Sequence, residues 1–236
     1  MLEKDGKTIV FSADDFGISH WANENILKLA ESGKLDRVEI MISRNITPEL
    51  ASRLLASNVK LDIHLHLTKE KLDYWQNNRR IIEKGAIKRI FFFLFNFLFG
   101  DTRPKIVEKE WEKQILDFQK IFGKIPDGAS SHEHIHFFPP YFRKFMKLAK
   151  KYGINYIRFG KKPYHHKNKV SMILNLLKKM DRQQLKKSSM TTSDYMISFD
   201  WNRDLDACVK NINERCEIEI VFHPELTPEY EVLERL

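Results

Sequence analysis

Three short segments of the chain gather the residue types that bind metal ions and activate water. They are the pair Asp14-Asp15, the pair His64-x-His66 and the run His132-x-His134-x-His136. One aspartate with two imidazoles suits an open divalent-cation site, because coordination positions stay free for water and substrate. A second carboxylate beside it, Asp14, can act as the general base on that water. The segments therefore predict metal-dependent hydrolysis.

The spacing of the third segment leaves two arrangements open. Residues two apart face the same side of a regular strand, so His132, His134 and His136 could share one face. If the strand instead ends near His132, one or two of them reach the site, and this is the arrangement that we expect. His20, His165 and His166 have no such neighbours and are interpreted as structural or surface residues.

Alternating strands and helices must position these groups. Apolar runs predict strands at 9–13, 38–42, 59–67, 129–132, 156–159 and 218–222. Helical spacing and capping residues predict helices at 19–33, 47–56, 105–122, 141–152 and 205–213, and the polar stretch 178–189 is interpreted as a helix end and a surface loop. This order is typical of an α/β fold with a parallel sheet, open or closed into a barrel.

The chemically active residues follow strands: Asp14 and Asp15, His64, His132 and His223. Active sites of β/α barrels lie at the carboxyl ends of the strands, so the site is expected at that end. Neither a repeat nor a linker interrupts the 236 residues, which predicts one domain over 1–236.

The formal net charge is +8, but the lysines are spread along the chain. No nucleic-acid signature accompanies them, so a solvated surface is favoured and no nucleic-acid partner is expected. The first seven residues are charged and lack the apolar centre of a signal peptide, which predicts a cytoplasmic protein.

A phenylalanine-rich insert at about 84–104 follows the strand that carries His64. Its apolar run at 90–99 is shorter than the ~20 residues of a membrane-spanning helix. One interpretation, which we favour, is a packed cap or a homodimer contact. The other is a peripheral patch that contacts a membrane or grips a lipid-linked substrate.

The motifs resemble those of a known family. Residues 13–19 (Ala-Asp-Asp-Phe-Gly-Ile-Ser) resemble the opening signature of the YdjC-like carbohydrate deacetylases. Residues 63–68 are similar to their Gly-Leu-His-Leu-x-Leu-Thr motif, and residues 131–139 resemble their Asp-Ser-His-x-His-x-His motif. Residues 156–158 and 222–224 resemble two shorter late motifs. Order and spacing agree from Thr8 to Pro224.

This resemblance implies a distorted (β/α) barrel of the polysaccharide-deacetylase type that removes an acetyl group from an N-acetylated sugar. It implies that Asp15, His64 and His132 bind the metal and that Asp14 is the base. Mg²⁺ is the metal implied by the family, and Zn²⁺ is the alternative that two imidazoles suit. The sugar stays open, with a lipid-linked glycan among the candidates.

The remaining roles are assigned by position. His223, at the last strand end, is expected either to protonate the leaving amine or to pack before the turn at Pro224. Arg158 is expected either to contact the substrate or to form a structural ion pair, and His134 and His136 are placed in the pocket wall or behind the metal ligands. The aromatic rings that could stack on a sugar are those of Trp21, Tyr74 and Trp75.

Three positions depart from the family pattern. Asp62 and Glu225 stand where glycine is usual, and Ser130 stands where aspartate is often found. The serine leaves open which group orients the metal-binding histidine.

Two rival functions remain. Asp62-x-His64-x-His66 resembles the Asp-x-His-x-His motif of PHP-type metal-dependent phosphoesterases, but there the motif lies on the first strand and here it follows Asp14-Asp15. The second rival is a non-enzymatic basic protein that binds an anionic surface. It leaves the carboxylate and histidine segments unexplained.

Overall fold

The structure of the protein is a computed structural model that describes residues 2–4, 6–67, 103–164, 169–210, 212 and 214–236. Most of the phenylalanine-rich insert, the aromatic candidates Tyr74 and Trp75, and His165 and His166 lie outside the described residues.

The described elements alternate largely as the sequence predicts. The strands are β1 Leu2–Lys4, β2 Lys7–Phe16, β3 Arg37–Ile40, β4 Lys60–Leu65, β5 Gly128–Ser131, β6 Tyr156–Ile157, β7 Tyr195–Ser198 and β8 Cys216–Phe222. The helices are α1 His20–Glu31, α2 Pro48–Ala56, α3 Pro104–Phe122, α4 Pro139–Lys151, α5 Lys169–Lys186, α6 Phe199–Asn202, α7 Leu205–Lys210 and α8 Thr227–Arg235. A 3₁₀ segment, His132–Phe137, follows β5.

The strands form a distorted β/α barrel, which confirms the predicted fold class. Their order is β6-β5-β4-β3-β2-β8-β7 with parallel pairing throughout, and β1 adds to β2 in the antiparallel sense. The two ends of this row meet through backbone bonds from Ile157 N to Thr191 O and from Lys161 N to Ser193 O, both 3.0 Å. The barrel closes irregularly at this point, because β6 has only two residues and the bonds go to residues that precede β7 rather than to β7 itself.

Local capping residues set several boundaries as predicted. Ser19 Oγ accepts from Ala22 N at the start of α1, and Thr47 Oγ1 accepts from Leu50 N at the start of α2. Gly123 ends α3 with φ 66°, a backbone conformation that costs glycine little. Outside the barrel, the buried rings of Trp111 and Phe145 pack α3 against α4.

Five strands and helices differ from the prediction. β1, β7, α6 and α8 were not predicted, and α5 begins at residue 169, well before the polar stretch that was interpreted as its end. β7 is four buried residues with no polar alternation, and α8 is nine residues long, so neither leaves a clear periodic pattern. Within the described ranges, no helix combines the length and apolar character needed to cross a membrane.

Charged and polar side chains fill part of the barrel interior. Arg37 donates to both oxygens of Asp62 at 2.6 and 2.7 Å, and its guanidinium lies 3.8 Å from the ring centre of Tyr156. The Tyr156 hydroxyl donates to Glu219 Oε2 at 2.7 Å. A Cβ at Gly128 would lie 2.6 Å from Arg37 Nη2, so this packing requires glycine. We call Arg37, Asp62, Tyr156 and Glu219 the lower charge layer.

Candidate active site

A break in strand β2 directs two consecutive carboxylates to one place. Neighbouring residues of a regular strand face opposite sides. The register of β2 with β3 shifts between Ala13 and Phe16, and Asp15 has φ 70°. Such a bulge re-aims a side chain. Asp14 and Asp15 are consequently both 3% exposed, and Asp14 Oδ2 and Asp15 Oδ1 lie 3.7 and 3.5 Å from His64 Nε2.

The turn after the two aspartates is fixed by glycine. Gly17 has φ 106°, and a Cβ there would lie 2.1 Å from Met41 O, so no other residue fits without movement. The amide of Gly17 donates to Asn23 Oδ1, and Asn23 Nδ2 donates to Asn45 O at 2.9 Å. These bonds anchor the turn to α1 and to the loop after β3.

His64 is oriented by a two-residue relay. Its Nδ1 lies 2.6 Å from Ser130 Oγ, and the serine hydroxyl donates to Glu39 Oε2 at 2.6 Å. Because the hydroxyl proton points to Glu39, the serine oxygen accepts from Nδ1–H, and the Nε2 lone pair of the neutral ring is left free to accept a bond from a cation or a proton donor. Glu39 and Ser130 are fully buried. Together they occupy the role for which the family pattern offers an aspartate.

Asp15, His64 and His132 converge as the metal prediction requires. One ligand atom from each lies within 4.8 Å of the others, and His132 Nδ1 is 3.0 Å from Asp15 Oδ1. Two atoms that each lie about 2.1 Å from one ion are roughly 3.0–3.4 Å apart, so the spacing fits a shared divalent cation. Although burial raises the pKa of Asp15, the hydrogen bond from His132 and the charges of His132 and His64 lower it below its usual value.

Arg158 holds Asp14 from beneath. Its Nη1 donates to Asp14 Oδ1 and Oδ2 at 2.7 and 2.8 Å, its Nε donates to Glu219 Oε1 at 2.8 Å, and its Nη2 donates to Ser12 Oγ. Burial raises the pKa of Asp14, but Arg158 and the nearby histidines lower it, with a net downward shift. Arg158 is fully buried and its donors are used inside the barrel, so of the two roles left open by the sequence the structural ion pair is the one observed.

The three histidines after β5 have different surroundings because β5 ends at Ser131. Glu133 and His134 have φ 53° and 54°, so a shared strand face does not form and the alternative arrangement is the one observed. His136 is fully buried, with Nδ1 2.6 Å from Ser131 Oγ and Nε2 3.0 Å from Arg158 O, and presents no surface to a substrate.

His134 is less buried than His136. It is partly exposed and stacks on Phe137, and its Nδ1 is buried without a hydrogen-bond partner among the described residues. Burial lowers the pKa of His134 to about 3, so the ring is neutral.

His223 faces the aspartates from the end of β8. Its backbone N donates to Glu229 Oε2 at 2.6 Å, and its Nδ1 lies 3.6 Å from the same oxygen. Burial lowers the pKa of His223, but Glu229, Asp14 and Asp15 raise it to about 9. Asn25 Nδ2 donates to Pro224 O at 2.8 Å and fixes the following turn.

Sequence reasoning missed the residues that support the site from behind. They are Ser12, Glu39, Glu219 and Glu229. Three of them lie inside strands that read as apolar, where a single polar residue facing the barrel gives a weak signal. Glu229 lies on α8, which was not predicted.

Three further residues near the candidate site are His66, Trp21 and Glu225. The ring nitrogens of His66 lie 2.9 Å from Leu67 O and 3.2 Å from Ile42 O, and His66 is not part of the candidate metal-ligand group. Trp21, on the first turn of α1, is 58% exposed. Glu225 is close enough to Asp15 for that charge to raise the pKa of Glu225, together with burial.

Known proteins resemble the chain in sequence and fold. A carbohydrate deacetylase of Halalkalibacterium halodurans is 29% identical over 62% of the chain and 61% of the relative. The corresponding human protein is 24% identical over 64% of the chain and 47% of the relative. The chain thus aligns with about half to three fifths of each of these proteins.

A solved structure supports the fold. The protein is an Enterococcus faecalis chain described as a putative cellobiose-phosphate cleavage protein. It superposes with a TM-score of 0.62 at 17% identity, covering 96% of this chain and 90% of that one. The family model described as YdjC-like protein matches residues 8–234. The chain therefore belongs to the YdjC-like family.

Proposed function

We propose that the protein is a metal-dependent carbohydrate N-deacetylase that removes an acetyl group from an N-acetylated saccharide. The observation that carries this proposal is the convergence of Asp15, His64 and His132 beside an independent carboxylate, Asp14, which Arg158 holds in place. The carbohydrate deacetylases among the relatives support the class of substrate.

Asp15, His64 and His132 would hold one divalent cation. Mg²⁺ is the choice by family resemblance, and Zn²⁺ is the alternative because imidazole nitrogens suit it. When bound, the cation would supply Lewis acidity to the acetamide carbonyl and to the attacking water. Ser130 and Glu39 orient His64 toward this position.

Asp14 is the general base in this proposal. Arg158 contacts both of its oxygens, which keeps the carboxylate ionised and fixes its plane. Asp14 Oδ2 lies on the side that faces His64 Nε2, where it can accept a proton from water. We assign Arg158 to positioning Asp14, and His136 to fixing the segment after β5 through Ser131.

His223 is the general acid. The carboxylate of Glu229, 3.6 Å from Nδ1, and the charges of the two aspartates favour the protonated form of the ring, so it can donate a proton to the leaving amine. Its place on β8 lies across the barrel from β5, which leads to His132. Trp21 offers an exposed ring on which a sugar could stack.

The phosphoesterase alternative fits the geometry poorly. In the motif Asp62-x-His64-x-His66, the two oxygens of Asp62 bond to Arg37 in the lower charge layer. The two ring nitrogens of His66 face backbone carbonyls. His64 alone of the three joins the metal-ligand group among the described residues.

The test is acetate release from a panel of N-acetylated sugars, measured with chelator and after addition of Mg²⁺ or Zn²⁺. We expect release that the chelator stops and a metal restores. Asp15→Ala should abolish release and metal binding, whereas Asp206→Ala, which changes an exposed carboxylate, should retain both. Chelator-insensitive release would refute the metal role, and hydrolysis of a phosphate ester without acetate release would favour the alternative.

A further inference from the structure

Helix α5 exposes an apolar face as well as burying one. Twelve large apolar side chains of the described residues are exposed, and five of them are on this helix, 53% to 66% exposed. They are Val170, Met172, Ile173, Leu176 and Met180. We call these five residues the α5 stripe.

The α5 stripe is separate from the face that packs on the barrel. Met172, Leu176 and Met180 recur every four residues and therefore line one side of the helix. Leu174 and Leu185 are buried on the other side. An exposed apolar row of this length is unusual on a soluble protein and marks a contact surface.

A cavity with basic walls adjoins the stripe. It has a volume of about 370 Å³, and its basic lining residues are Lys161, Lys162, Lys178, Lys179 and Arg182, of which Lys178 is buried, which lowers its pKa to about 7. No acidic side chain lines it, and Leu176 of the stripe forms part of its wall. We call this the basic cavity.

The positive charge of the basic cavity is only partly balanced. Lys161 Nζ lies 2.9 Å from Asp194 Oδ1, and Lys162 Nζ lies 3.4 Å from Glu214 Oε1. Lys179 and Arg182 have no ion pair with any described residue. The cavity therefore favours an anionic occupant.

The helix that carries the stripe contacts an element of the candidate active site. α5 packs against the 3₁₀ segment His132–Phe137, which carries His132 and His134, and against α4. The packed side of α5 thus adjoins the segment that leads from β5 into the candidate site, and its other side carries the stripe.

Apolar side chains flanked by lysine and arginine are the pattern of helices that lie in a lipid–water interface. The apolar residues enter the acyl boundary, and the basic residues attract anionic headgroups. We propose that α5 docks the protein on an anionic phospholipid surface, with the α5 stripe in the boundary and lipid phosphates in the basic cavity. A second copy of the chain would supply apolar area, but its net charge of +8 would oppose the basic cavity.

The experiment is co-sedimentation of the full chain with vesicles of phosphatidylcholine, alone or with phosphatidylglycerol. We expect binding that requires phosphatidylglycerol and weakens with salt, since charge drives part of it. Leu176→Gln with Met180→Gln should lower affinity for these vesicles about tenfold or more, because two apolar side chains that would enter the acyl boundary on docking are lost. Lys179→Gln with Arg182→Gln should lower affinity and reduce the salt dependence.

Matched variants on α3 and α2 control for each change. Leu55→Gln with Leu116→Gln alters two exposed apolar residues elsewhere, and Lys113→Gln with Lys120→Gln alters two exposed lysines of α3. These should bind vesicles as the wild type does. Circular dichroism verifies folding, and acetate release from soluble sugars should persist in the α5 variants, so failure of docking is distinct from failure of the proposed reaction.

Several outcomes would overturn docking. The first is equal binding to both vesicle types, or binding by the α5 variants that matches the controls. The second is a wild-type dimer that Leu176→Gln with Met180→Gln turns into a monomer without any change in vesicle binding, which would assign the α5 stripe to a second copy. The third is a protein that binds neither vesicle type but is stabilised against heat by inorganic phosphate. That result would assign the basic cavity to a free anion.

Discussion

The barrel interior contains two polar layers, the lower charge layer and the candidate site, which are built from the same strands but differ in their ionic partners. β4 supplies Asp62 to the lower charge layer and, two residues later on the same face, His64 to the candidate site. Asp62 faces the cation of Arg37, whereas Asp15 faces the ring nitrogens of His64 and His132. The carboxylate of Asp62 already has a guanidinium as its partner, so its role is structural. The carboxylate of Asp15 lies beside two imidazoles, which leaves room for a cation.

Arg158 joins the two layers. Its Nε bonds to Glu219 below and its Nη1 bonds to Asp14 above. The position of the proposed base therefore depends on one member of the lower charge layer, Glu219, and not on the Arg37–Asp62 pair. The contrast predicts that equal chemical changes in the two layers have different consequences.

The largest effect is expected from Asp14→Asn. The amide cannot accept the proton of water, so the rate of acetate release should fall about 10³-fold. Metal affinity should be retained, because Asp15, His64 and His132 are unchanged. Steady-state kinetics together with calorimetric metal titration separate these quantities. A rate within tenfold of the wild type would remove Asp14 from the role of base.

The same change in the lower charge layer should act on stability. Asp62→Asn leaves the largely buried Arg37 without its carboxylate, and removal of one member of a buried ion pair costs about 3 kcal/mol. Urea unfolding should show this loss, while the rate per folded molecule should change little. Unaltered stability with a rate as low as that of Asp14→Asn would contradict the division into two layers.

Two adjacent serines allow a sharper comparison within the upper part of the barrel. Ser130 Oγ lies 2.6 Å from His64 Nδ1, and Ser131 Oγ lies 2.6 Å from His136 Nδ1. Ser130→Ala should lower metal affinity 10- to 100-fold, roughly the effect of losing a group that orients a ligand. Ser131→Ala should lower the free energy of unfolding by about 1 kcal/mol and leave metal affinity unchanged. Equal metal affinities of the two variants would show that the relay through Glu39 does not tune the site.

The fold was largely predictable because its signals are local. Ser19, Thr47 and Gly123 mark element ends by their own chemistry, and the strand ends gathered the aspartates and histidines. β7 was missed because four buried residues without alternation resemble any short apolar run.

The supporting groups of the site depend on distant pairings. Ser130 meets Glu39, 91 residues away, and Arg158 meets Asp14, 144 residues away. No spacing along the chain encodes those contacts, so the sequence could suggest an oriented His64 but not the pair that orients it. The sequence left the role of Arg158 open between substrate contact and a structural ion pair for the same reason, because its burial depends on how the strands of the barrel come together.

Backbone strain separates the two layers as well. Asp15, Glu133 and His134 have positive φ at the candidate site, whereas no residue of the lower charge layer does. A left-handed conformation costs a residue with a side chain about 1–2 kcal/mol. Glycine at such a position would remove that cost. It would also lower the free energy of unfolding by about 0.4–1 kcal/mol, because glycine gives the unfolded chain more conformational freedom.

Glu133→Gly tests whether this strain is stored in the turn, because the side chain is exposed and forms no hydrogen bond or ion pair among the described residues. We expect the free energy of unfolding to rise by about 0.5 kcal/mol, the balance of those two effects. Glu231→Gly in helix α8 is the control and should lower it by about 1 kcal/mol, since glycine weakens a regular helix. Urea unfolding of both variants measures the difference. Similar losses in the two would mean that the turn before His134 is held at no cost, and that the two layers differ in charge pairing rather than in backbone strain.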